Sequence, residues 1–157
     1  MTKEKKQEFT LRITSANKTE LVEILYEMVL EYVNDSVEAL KKDDRDGLHE
    51  SIRKARACLR ELMESIDFSY DISGNFMSLY AFVNKELVLA EIRKDEEMFE
   101  NVKKVIIPLM DTYKELAKKD DSGPIMENTQ KVVAGMTYSK NDINESMMDQ
   151  DNRGFYV

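Results

Sequence analysis

Residues 77–92, MSLYAFVNKELVLAEI, carry eleven apolar side chains out of sixteen in a chain that is 34% charged. At about 100° per residue along a helix, Phe76, Leu79, Tyr80, Val83, Leu87 and Ala90 gather on one face. That face alone supplies a helix's share of a core. Met77, Ala81, Val88 and Ile92 fall on a second side, and Phe82 with Leu89 on a third. A helix apolar almost all round has to be covered, by its own chain or by another protein.

Three more segments show the helical period. The first runs over 17–42 and opens with Asn17 three residues before Glu20, the spacing of a capping box; Leu21, Leu25, Met28, Val29, Tyr32, Val33 and Leu40 form its stripe. Tyr26, Leu30 and Val37 widen that stripe beyond one bundle seam, while Glu20, Glu23, Glu27 and Glu31 make the solvated ridge. The second segment, 48–66, stacks Leu48, Ile52, Ala55, Leu59, Leu62, Met63 and Ile66, with Asp46 as its expected cap. DFSYDISGN then reads as a loop. The apolar helix spans 76–93, and the fourth helix 96–119 carries Met98, Val102, Val105, Ile106, Leu109, Tyr113 and Leu116. Pro108 falls inside that last helix, where a missing N–H predicts a kink. Four helices with short connections predict an all-α fold, an antiparallel up-and-down four-helix bundle. Residues 1–16 are expected to cap it, 17–119 to form the bundle, and 120–157 to be a polar tail, partly disordered or docked.

The length suits a single domain with its own core. A net charge of −8 repels phosphate backbones and anionic lipid, and Lys3, Lys5 and Lys6 form too small a cluster to reverse that. Nucleic acid and membrane insertion are therefore not expected. Cys58 is the single cysteine, no apolar run approaches membrane-spanning length, and the N-terminal MTKEKKQEFTLRIT lacks a secretion signal's apolar stretch. The expected location is the cytoplasm.

Catalytic chemistry is poorly supplied. His49 is the sole histidine, which excludes a di-iron bundle site built on paired Glu-x-x-His motifs. DDRDG and KKDDSG lack the ligand spacing of a calcium loop, no Gly-rich phosphate loop occurs, and Cys58 has no evident base. No metal or cofactor is expected. A helical phosphotransfer protein using His49 is one alternative, although HESIRKA has Arg53 where such domains carry Gly. A purely structural oligomeric bundle is another. The reading that the residues favour is a binding module. Three or four apolar side chains covered by a partner, at roughly 1.5–3 kcal/mol each, yield roughly 5–10 kcal/mol before association costs. Such a surface suits an amphipathic helix or an extended apolar peptide.

Three stretches carry a family resemblance. SANKTELVEILYEMV, through Ser15, Ala16, Leu21, Leu25 and Tyr26, resembles the entry motif of the flagellar export chaperone family FliS. IRKARACLRELMESID resembles its second-helix signature through Ala55, Leu59, Glu61, Leu62, Met63, Ser65 and Asp67. LYAFVNKELVLAEIRKD is similar to its next helix through Leu79, Tyr80, Phe82, Leu87, Ala90, Lys94 and Asp95. The likeness covers about 15–116. Lys18 replaces a usual Pro, Tyr113 stands near a frequent Trp, and the segment after Lys119 is longer than usual.

The resemblance implies a non-enzymatic chaperone that holds the C-terminal segment of flagellin, prevents its premature polymerisation and aids delivery to the export-gate protein FlhA. It would be a monomer or weak homodimer. The client groove would be lined by Ile52, Ala55, Leu59, Leu62, Tyr80, Val83, Leu87 and Val88, some of them serving the core as well. Phe9, Leu11 and Ile13 would be a displaceable N-terminal plug, and Tyr26 and Tyr32 core or support. In the tail, Val132, Val133, Met136, Tyr138, Phe155 and Tyr156 are candidates to compete for the groove.

Overall fold

The computed structural model describes residues 1–126. It contains five α-helices and, among the described residues, no strand: α1 Lys3–Ser15, α2 Lys18–Lys41, α3 Arg45–Glu64, α4 Ser73–Arg93 and α5 Glu96–Ala117. The four expected helices are present, and the N-terminal segment adds a fifth.

Local chemistry sets the helix ends. Asn17 forms the expected capping box on α2: its Oδ1 accepts from Glu20 N–H at 2.9 Å, and Glu20 Oε2 accepts from Asn17 N–H at 2.9 Å. The cap of α3 is Asp44 rather than Asp46, because the helix begins one turn before its apolar stripe. Asp44 Oδ1 accepts from Gly47 N–H at 2.9 Å. A Cβ on Gly47 would lie 2.1 Å from Asp44 Oδ2, so the cap requires glycine there. The Lys94–Asp95 pair of the third motif is a reversal between helices. Lys94, at φ 56°, ends α4 in the left-handed conformation, and Asp95 opens α5 by accepting from Glu97 N–H at 2.9 Å. Helix α5 runs on across Pro108, which sits on its exposed side.

Helix α2 packs against α3 and α5, and α4 packs against the same two, so the four enclose one core. Tyr26, Val29, Val33, Leu48, Ile52, Leu59, Leu62, Val83, Leu87, Phe99 and Ile106 are all essentially inaccessible within it. Helix α1 lies outside this group and packs on α2. Helix α2 has two apolar sides: one, with Tyr26, Leu30 and Val37, serves the core, and the other carries Ile24, buried with Phe9 and Ala16 and flanked by Ile13, Leu21 and Met28.

The start of the expected tail belongs to the same unit. Asn17 Nδ2 donates to the carbonyls of Asp120 at 3.2 Å and Ser122 at 3.4 Å, Thr19 Oγ1 donates to the Asp120 carboxylate, and Ile125 N–H donates to Ala16 O at 3.0 Å. Residues 120–125 are thus fastened across the α1–α2 junction. The tail candidates Val132, Val133, Met136, Tyr138, Phe155 and Tyr156 lie outside the described residues.

Candidate functional site: the apolar outer faces of α2 and α4

Of the eight groove residues expected from sequence, Ile52, Ala55, Leu59, Leu62, Tyr80, Val83 and Leu87 are each no more than 3% exposed. Together they form the junction of α2, α3 and α4 with α5, and in this arrangement they offer nothing to a partner. Val88 alone is half-buried at the surface. The residues that remain accessible on α4 are those outside its core face, together with Leu79, expected on that face but exposed at its margin. Phe82 is 41% exposed, Ile92 70% and Leu79 37%, Ala81 is exposed, and Met77 and Leu89 are half-buried. Helix α1 packs on α2.

The expected plug divides in three: Phe9 is buried, Ile13 is half-buried, and Leu11 is exposed. The Phe9 ring packs by the outer face of α2, with Lys5 Nζ 5.4 Å and the Arg12 guanidinium 5.7 Å from its centroid. Arg12 also donates two parallel hydrogen bonds to Glu27 on α2, Nη1 to Oε2 at 2.6 Å and Nη2 to Oε1 at 3.0 Å. That bidentate pairing holds the Glu27 carboxyl below its ordinary 4.5 against the opposing effect of burial, and raises Arg12. A carboxyl lowered by folding contributes stability above its unfolded value and loses that contribution as pH falls through the lowered one. Acidification from about pH 6 to about pH 3 should therefore loosen α1, measured by hydrogen exchange corrected for intrinsic rate. Glu27→Gln should flatten that dependence.

A cleft of about 330 Å³ lies where the start of α2, the α3–α4 connection and the end of α5 meet. Val22, Ile66, Phe76, Tyr80, Tyr113 and Leu116 give it an apolar lining. The Tyr26 and Tyr80 hydroxyls are hydrogen-bonded to each other, and Tyr113 stands edge-on to Tyr26 at 5.6 Å. Burial pushes Tyr80 up to about 12, opposed by its bond to Tyr26, and burial likewise raises Tyr26. Tyr70 also lines the cleft and is mostly exposed. The loop reading of DFSYDISGN passed over this cleft, although aromatic residues alternating with turn formers were its signal.

The chemistry elsewhere is inert. Burial raises the Cys58 thiol to about 11, far from a working nucleophile. His49 is a surface residue whose Nδ1–H donates to Glu91 Oε1 at 2.6 Å; an ionised carboxylate only accepts, which fixes that tautomer. Among the described residues, no cluster of His, Cys, Asp or Glu is placed to hold a metal. No helix there is long and apolar enough to cross a membrane.

A helical scaffold with apolar outer faces and inert polar groups defines a binding module. The family model described as "Flagellar protein FliS" matches residues 1–120, and the chain belongs to that family, one of chaperones and not enzymes. It is also similar to the flagellar secretion chaperone FliS of Bacillus subtilis (strain 168), 23% identical over 108 residues, covering 69% of this chain and 81% of the relative.

Proposed function

We propose that this protein is a cytosolic flagellar secretion chaperone that binds the C-terminal segment of flagellin. It keeps that segment from polymerising early and presents it to the export gate, whose FlhA component receives the complex. The observation carrying this reading is the apolar surface of α4 that the other described residues leave accessible, in a chain of this family. Val88, Met77, Ala81, Phe82, Leu89 and Ile92 form the client's seat on an antiparallel up-and-down bundle. The seven buried residues support that seat and would meet the client only if helices parted. Helix α1 is the plug: with Phe9 and Ile13 it occupies the outer face of α2, and displacing it extends the seat.

Calorimetric titration of the full chain with the C-terminal segment of the same organism's flagellin should give saturable one-to-one binding. Absence of heat and of any mobility shift, with a folded monodisperse protein, would end the reading. A sedimentation mass belongs to the same experiment: we expect a monomer or weak homodimer, and a tight dimer that buries α4 would favour a structural bundle instead.

A further inference from the structure

Charge on this protein is unevenly spread, and the client surface is the exception to its acidity. The chain carries −8 overall, yet α4 has only two carboxylates, and both are engaged. Glu86 is buried and accepts from Asn101 Nδ2 at 2.9 Å, and Glu91 accepts from His49 at 2.6 Å. The exposed side chains of α4 are therefore apolar, neutral or basic, with Lys85 and Arg93 among them.

The neighbouring flank of α3 is basic over its middle turns, between the exposed carboxylates Asp46 and Glu64. Positions 49, 53, 56 and 60 recur at helical spacing, so His49, Arg53, Arg56 and Arg60 share one ridge, all exposed. Two contacts show that this ridge borders α4: Arg56 Nε donates to Asn84 Oδ1 at 2.9 Å, and His49 donates to Glu91. Glu61 lies about 100° further round α3 than Arg60, while Glu64, four residues on from Arg60, ends the ridge with an exposed carboxylate. Arg53 is paired with Glu50 at 2.8 Å, but among the described residues neither Arg56 nor Arg60 has a carboxylate partner. Beside the ridge run Met77, Ala81, Val88 and Ile92 of α4, half-buried or exposed. The face thus combines an apolar strip with arginines along one edge and Lys85 across from them.

We propose that this face selects a helical segment of the secreted client whose apolar stripe is edged by carboxylates. The inference rests on the reading of α4 as the client's seat and names what the seat recognises. The apolar strip supplies affinity for any amphipathic helix, and the arginines set which edge faces α3 and reject a segment edged by lysine. Each exposed charge pair is worth a factor of up to about five, so two pairs give discrimination of about tenfold.

The test uses the full chain and two synthetic helical peptides with the same leucine stripe, one edged by Glu and the other by Lys, read by fluorescence anisotropy. The Glu-edged peptide should bind about tenfold tighter at low salt, and the difference should shrink as salt screens the charges. Arg56→Gln with Arg60→Gln should remove the preference without changing the thermal transition, and Arg56→Lys with Arg60→Lys should restore it. Equal affinities for the two peptides, or a preference unchanged in the Gln variant, would overturn the proposal. So would Arg-dependent binding of a single-stranded oligonucleotide without peptide discrimination. Titrating flagellin's C-terminal segment separates this inference from the function it rests on. Equal binding by wild type and Gln variant leaves the chaperone standing and removes the ridge. Failure of flagellin to bind, with Glu-edged selectivity intact, does the reverse.

Discussion

Leu59→Ala should lower the unfolding free energy by about 2–5 kcal/mol, read as a shift in the urea midpoint with an unchanged slope. Leu59→Asp should abolish the cooperative transition altogether. Val88→Asp should leave the transition nearly in place and instead weaken flagellin binding about tenfold or more, the worth of one covered valine at roughly 1.5–3 kcal/mol. The contrast follows from position. Leu59 is 1% exposed among core residues of all four enclosing helices, whereas Val88 is half-buried at the margin of α4. A charge at the first position is stranded without water, and at the second it can turn outward. Val88→Asp binding flagellin as tightly as wild type would remove α4's outer face from the client's seat.

Phe9→Ala should release α1 while the remaining helices stay folded. Phe9 is the one fully buried side chain of α1, and truncating a buried phenylalanine costs about 3–5 kcal/mol. Because α1 packs chiefly on α2, the loss should be local. Amide exchange across α1 should accelerate by about a hundredfold or more, with little change in α3, α4 and α5. If α1 is the plug, the same variant should bind flagellin more tightly, since displacement no longer opposes the client. Faster exchange in α1 with unchanged affinity would leave α1 as a structural cover only.

How far the sequence reaches is clearest in α4. Its period, its apolar excess and the family motif were all legible, and each was correct about the fold. Seven of the eight groove residues chosen from the sequence are core in this arrangement, and Val88 is not. The groove was read from the most regular apolar positions, and those are the ones a bundle takes for its own core: Leu59, Leu62, Val83 and Leu87. The apolar residues left accessible on α4 are Phe82 and Ile92, which fall off the main stripe, with Val88, the one groove candidate the core does not take. The start of α3 was misread for a related reason. The apolar stripe begins at Leu48, but a helix begins where a side chain satisfies its first N–H groups, and Asp44 does so with the help of Gly47. The fifth helix was hidden because α1 has one buried residue and a mostly polar sequence, so its helicity depends on the extra apolar side of α2. The fastening of Asp120, Ser122 and Ile125 had no signal at all, being made largely through backbone groups more than a hundred positions away.

That fastening makes the two ends of the bundle share one joint. Ala16 and Asn17 terminate α1, open α2 and hold 120–125, all within two consecutive residues. A swing of α1 that rotates the Ala16 peptide must disturb the bond from Ile125, and a pull on the chain beyond Met126 is felt first at the hinge of α1 and not in the core. Motion of α1 and the hold on residues 120–125 are therefore coupled directly at Ala16 and Asn17, without passing through the four enclosing helices.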